Sequence, residues 1–158
     1  ARSCAIDFER QVMVFGPCAG LPASAPFEPD PTLVVVKAWV RDQAIRMLVD
    51  SGAATSCLFE DGPKLWQYRR ITERRGSTPH MGGNTDSSEA PLRALRIGPM
   101  EWKELTAMVL DNHRPERWDA VLGVGSLGLK CIHFDFERRI LSLLKYRMQR
   151  IEASKKAD

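Results

Sequence analysis

No apolar run in this 158-residue chain approaches the ~20 residues that a membrane-crossing helix requires. The longest, "LVVVKAWV" (33–40), is interrupted by Lys37. No membrane span of that kind is expected. Cysteine is scarce too. The four residues Cys4, Cys18, Cys57 and Cys131 show neither CxxC nor Cys/His ligand spacing, so no metal and no cofactor are expected. Aromatic residues are few, and none interleaves the basic stretches "RRITERR" (69–75) and "RMQRIEASKKAD" (147–158). Single-strand nucleic-acid platforms alternate the two kinds. The net charge of +3 therefore reads as solvated surface, and no nucleic-acid partner is expected. The chain opens on Ala1 with no basic-then-apolar leader, and the expectation is a mature or trimmed form.

Cys4 and Cys18 flank "AIDFERQVMVFGP" (5–17), a possible hairpin. A disulfide between them would imply an oxidising compartment, periplasmic or secreted. The other reading is four free thiols and a cytoplasmic protein. Both stand at this point.

What the chain does hold is enough apolar residue, 44%, to build one core. Half of its ten prolines crowd into "PCAGLPASAPFEPDP" (17–31), which reads as an extended crossing. Three parts follow: an N-terminal extension (1–31), a main domain (32–146) and a basic tail (147–158). Within the domain, "TLVVVKAWV" and "AIRMLVD" read as a hairpin around "RDQ". "RRGSTPHMGGNTDSSEAP" (74–91) reads as a long turn or mobile hairpin. "LRALRIG", "ELTAMVLD", "WDAVLG", "CIHFDF" and "ILSLLKY" read as further short strands. Helix is expected only near 60–70, 124–130 and 147–156. The fold class is all-β, a barrel or a sandwich.

Two glycine patterns lead nowhere. "GVGSLG" (123–128) matches GxGxxG, but an extended segment follows at once, where a dinucleotide fold needs a helix and a second strand. Ser126 misses the nucleophile pattern GxSxG because Val124 stands where its first glycine belongs, and the α/β sheet that carries that pattern is absent. The three histidines are far apart and lack acidic companions, so surface or core roles are expected. Trp39, Trp66, Trp102 and Trp118 are read as core or interface packing.

Asp50 is another matter. It ends the apolar run of Met47, Leu48 and Val49, and Ser51, Gly52 and "AAT" follow. Small residues let two backbones approach. A carboxylate in such a setting is expected to be desolvated, which marks functional sites.

"LVDSGA" (48–53) resembles the active-site turn of the aspartic peptidases. The second half of that pattern, an apolar pair and a glycine, is met by Val121, Leu122 and Gly123. The order and spacing resemble the small retropepsin-like (retroviral-type) members, in their bacterial or cellular branch. The resemblance implies a closed β-barrel, a flap hairpin and one short C-terminal helix. It implies that Asp50, Ser51 and Gly52 are catalytic, and that Ala53, Met81, Gly82, Gly83, Val121 and Leu122 meet the substrate. No other Asp-Ser/Thr-Gly occurs in the chain. The resemblance therefore implies a homodimer hydrolysing peptide bonds in a peptide or protein substrate, with a water held between two copies of Asp50. The competing reading is an inert retropepsin-like module kept for dimerisation or peptide binding.

Overall fold

A computed structural model describes residues 2–17, 21, 23–59, 76–80, 83–110 and 117–146. The expected helices near 60–70 and 147–156, together with Cys18, Trp66, Met81 and Gly82, fall outside that set.

Among the described residues twelve strands make two sheets, and the one helical element is a 3-10 turn at Val124–Leu127. The C-terminal helix expected from the resemblance is this one turn. In chain order the strands are β1 (Ser3–Asp7), β2 (Val12–Phe15), β3 (Ala23–Pro26), β4 (Val35–Val40), β5 (Gln43–Asp50) and β6 (Ser56–Phe59). There follow β7 (Gly76–His80), β8 (Gly83–Ile97), β9 (Met100–Leu110), β10 (Ala120–Gly123), β11 (Leu129–Asp135) and β12 (Ile140–Lys145).

The larger sheet runs β4-β5-β10-β6-β9-β8-β7, and β4 also pairs with β8. That extra pairing, Trp39 with Arg96 and Val40 with Leu95, closes six strands into a barrel. β7 is left outside as a hairpin partner of β8. Closure removes the edges that would otherwise need protection. The alternation in β5 shows how the sequence drives it. Ile45 and Met47 are buried, while Ala44 and Arg46 face outward. The interior is filled by β-branched and aliphatic side chains, among them Val36, Val40, Leu58, Leu92, Leu95, Ile97 and Leu122, none of them with any exposed surface.

The smaller sheet has the order β2-β1-β11-β12-β3. Ile132, Phe134, Leu141 and Leu143 point from its inner face into the same core. The possible hairpin of residues 5–17 is there as β1–β2, with Cys4 opposite Phe15 and Phe134. Cys18, the expected partner of Cys4, lies outside the described residues, and Cys4 carries a free thiol. Its site between strands, packed against core residues, raises its pKa by burial.

Three open margins remain among the described strands, and two are blunted by proline: Pro26 in β3 and Pro79 in β7. Proline cannot donate to an incoming strand. β2 has no such guard. Val12, Met13, Val14 and Phe15 are all exposed, Phe15 to 68%. Replacing Met13 by lysine is expected to lower aggregation on concentrating the protein, with stability changed by no more than about 0.5 kcal/mol. Light scattering alongside a thermal melt checks both.

Candidate active site

Asp50 is the last residue of β5, and Gly123, the last of β10, lies directly across from it in a parallel pairing. β10 sits between β5 and β6. The loop from Ser51 to Thr55, which joins β5 to β6, must therefore arch over the end of β10. That arch is why the sequence needs small residues here.

The approach is close enough to dictate residue identity. A Cβ on Gly123 would lie 2.2 Å from the Thr55 carbonyl oxygen. One on Gly125 would lie 2.8 Å from Ala54 Cα. Hydrogen bonds clamp the crossing. The Gly123 N–H donates to Ser56 Oγ (3.2 Å), and the Gly125 N–H donates to the Ala53 carbonyl (3.1 Å). Ser126 Oγ donates to the Gly123 carbonyl at 2.9 Å and stands 3.4 Å from Ser56 Oγ. Ser56 has no exposed surface. Ser126, set aside as a nucleophile, thus binds backbone. Gly128, at φ 60°, ends the 3-10 turn in the left-handed region and leads the chain into β11. The Trp102 indole N–H donates to the Leu127 carbonyl (2.8 Å) and pins the far end of that turn to β9.

The acid itself is held but open. Asp50 Oδ1 accepts the Gly52 N–H at 2.9 Å, a turn that Asp favours through its own backbone. Asp50, Ser51 and Gly52 are all exposed. The desolvation expected for Asp50 is thus not supplied by its own chain. The run ahead of it is buried only as far as Met47, with Leu48 and Val49 half-buried, so the strand surfaces before the acid. A Cβ on Gly52 would lie 3.4 Å from Asp50 Oδ1, and nothing in the chain's own backbone excludes it. Half-buried Cys57 lies close enough to feel the acid. Burial first, and then the charge of Asp50, push its thiol up.

The expected substrate-contact residues separate. Ala53 is half-buried and tied to Gly125. Val121 is half-buried between Leu48 and Cys57. Leu122 has no exposed surface and packs in the core, so it supports the crossing from within. Gly83 opens β8 opposite His80, at the end of the β7–β8 hairpin, and Met81 and Gly82 lie outside the described residues. Ser56, Gly125 and Ser126 were not picked out as site residues in the sequence. Small residues recurring on both sides of the crossing were the available signal.

Further along β5, the Arg46 side chain forms a two-pronged pair with Glu28 at 2.7 and 2.6 Å. The Arg46 N–H also donates to Asp119, which fixes the start of β10. The Arg46 hydrogen bond, ahead of its charge, holds the Glu28 carboxyl below the usual range. A lowered folded-state pKa adds stability above the unfolded value, and that stability is lost as pH falls. Glu28→Gln is expected to cost about 0.5 kcal/mol at neutral pH, the scale of an exposed pair. The difference should shrink as pH falls through the lowered folded-state value and the glutamate protonates. Thermal melts of both proteins across pH check this.

The comparisons bear on this geometry. A family model described as "Aspartyl protease" matches residues 36–130, more than half of the chain, and spans both arms of the crossing. The chain belongs to the aspartyl protease family. Its barrel is retropepsin-like. A retropepsin-like aspartic protease from Rickettsia conorii superimposes with a TM-score of 0.50 at 12% identity, covering 83% of this chain and 98% of that one. The EIAV protease, complexed with the inhibitor HBY-793, gives a TM-score of 0.46 at 21% identity, covering 61% of this chain and 86% of that one. None of the curated proteins compared with the chain matches it.

Proposed function

We propose that this aspartyl protease family member is an endopeptidase active as a homodimer, with Asp50 of each copy as the acid pair. One observation carries the reading. A single exposed carboxylate stands at a loop crossing whose backbone is clamped on both arms. Rigid placement of an open acid is what chemistry on a shared water requires, and the chain holds no second Asp-Ser/Thr-Gly to complete it.

In this mechanism a second copy brings its Asp50 opposite the first. Two nearby carboxylates cannot both ionise easily, so they hold one proton between them. The ionised member takes a proton from the water as it attacks the scissile carbonyl, and the protonated member donates to the carbonyl oxygen. The two apparent pKa values belong to the pair, and the pH–rate profile is a bell in the acidic-to-neutral range. Ser51 braces the pair across the two-fold axis. Gly52 and Ala53 present backbone to an extended peptide, and Val121 flanks it. Gly83, at the end of the β7–β8 hairpin, meets it from the other side, and Met81 and Gly82 are substrate contacts in the same reading.

The test is cleavage of unfolded casein at a series of enzyme concentrations, with oligomeric mass measured alongside. Activity per chain should rise with concentration in step with the dimer fraction, and pepstatin should suppress it. Full activity per chain in a solution that contains only monomer would overturn the shared site.

A further inference from the structure

On the outer face of the smaller sheet lies a cavity of about 410 Å³, lined by strand residues of β1, β11 and β12 and by Pro17 and Leu21 of the β2–β3 connection. We infer that it is a binding site for a carboxylate, either of a small organic acid or of a peptide C-terminus.

Strand register brings the polar side chains of this face together. Ala5, His133 and Ser142 sit side by side across β1, β11 and β12, and Ser3 and Asp135 form the next pair along. Directly opposed side chains on one face come within ~5 Å at Cβ. This face is no ordinary solvated surface. Ser3, Ser142 and His133 are buried, the last with only 7% of its surface exposed.

His133 is also unsatisfied. Its Nε2 is buried and has no hydrogen-bond partner, a condition shared among the described residues only with Ser88 Oγ. A buried polar atom without a partner is costly, and a cavity beside it is where the partner belongs. The barrel acid takes no part, since no residue of the Asp50 loop lines this space.

The lining decides the class of ligand. An imidazole N–H and two hydroxyls can all donate inward. Arg2 and Arg138 stand at the rim. Arg2 holds Glu137 at 3.0 Å, and Arg138 lies 3.9 Å from Asp135. A guanidinium has five N–H groups, so one ion pair leaves donors over for a second acceptor. The two acids cancel the charge of the two arginines. A doubly charged phosphate finds no excess of cation here, whereas a singly charged, planar carboxylate finds converging donors and a fork-shaped partner. The volume lies at the small end of ligand pockets, enough for a short acid or the last residues of a peptide.

The test is NMR of the histidine imidazoles in the full chain, titrated separately with acetate, dialanine, dialanine amide and inorganic phosphate. Only three histidines occur, and the His133 signals are assigned by their loss in His133→Gln. Saturable movement of those signals with acetate or dialanine, and none with the amide, is the expected result. Response to both acetate and dialanine points to free acids, and response to dialanine alone points to peptide C-termini. Arg138→Gln alters an exposed rim side chain and should weaken binding about tenfold while leaving the fold intact. No movement with any probe, equal binding of the amide, tighter binding of phosphate, or unchanged affinity in Arg138→Gln would each overturn the assignment.

Discussion

Asp50→Asn is expected to cut peptide hydrolysis by about a thousandfold or more, the scale of a lost acid–base pair. Asparagine keeps the shape of the side chain and an oxygen that accepts the Gly52 N–H, so the turn survives. The side chain is exposed, so stability should change by no more than about 0.5 kcal/mol. A mixing experiment adds a sharper expectation. If each site takes one acid from each of two copies, wild-type chains paired with Asn chains are inactive. Excess Asp50→Asn protein should therefore suppress wild-type cleavage, after the dimers have had time to exchange. The measurements are casein cleavage and a thermal melt of the variant, then cleavage by wild type against a rising share of variant. Undiminished wild-type activity in a large excess of variant would show that each chain carries a whole site. A variant that cleaves as fast as wild type would remove Asp50 from the chemistry and leave the inert-module reading.

Gly123→Ala is expected to be as damaging, but to the fold. The added methyl would lie 2.2 Å from the Thr55 carbonyl oxygen, 2.3 Å from its carbon and 2.7 Å from the Ser56 nitrogen. All three are backbone atoms, and no side-chain rotation relieves them. The arch would have to lift, breaking the Gly123–Ser56 and Gly125–Ala53 hydrogen bonds and stranding the buried Ser56 hydroxyl. Overpacking together with lost buried hydrogen bonds puts the cost at about 4 kcal/mol or more. Whole domains are stable by roughly 5–15 kcal/mol, so the variant should be largely unfolded, or folded with the crossing undone. Urea unfolding and circular dichroism measure it. Gly52→Ala is the control, because its methyl would meet only Asp50 Oδ1 at 3.4 Å. That variant should fold, and a fall in its activity would report the approach of substrate backbone. Equal stability of Gly123→Ala and wild type would refute the steric account of the crossing.

The parts of this fold that could be read in the sequence are those written locally. The β4–β5 hairpin announced itself by alternation around "RDQ", and the barrel class by short strands divided by turns. The Asp50 turn and the Val121–Gly123 stretch were legible because each is a short apolar run ending on a residue with one purpose. Their juxtaposition is written in neither stretch; it appears in the structure as the Asp50–Gly123 pairing. Other features depend on partners distant in the chain. Nothing in "SCAID" says that it will lie against "CIHFD", since edge pairing leaves no periodic mark of its own. The prolines of 17–31 suggested an extended crossing, yet "ASAP" within them is a strand against β12, with Pro26 at the open margin where a proline is tolerated. The exposure of Asp50 is not legible, because an apolar run looks buried along its whole length. In β5 the barrel covers only the first part of it. Leu122 and Val121 are equal in the resemblance, but neighbours in a strand face opposite ways, and it is Leu122 that turns into the core.

The placement of β10 has a consequence for how the protein is made. The strand that separates β5 from β6 is drawn from residues 120–123, long after both of its neighbours have been synthesised. Until it arrives, β5 and β6 have no ladder between them and the arch has nothing to close upon. Contacts of such wide sequence separation form slowly. A nascent chain halted before residue 120 would already carry Asp50, but without the strand that steadies the loop after it.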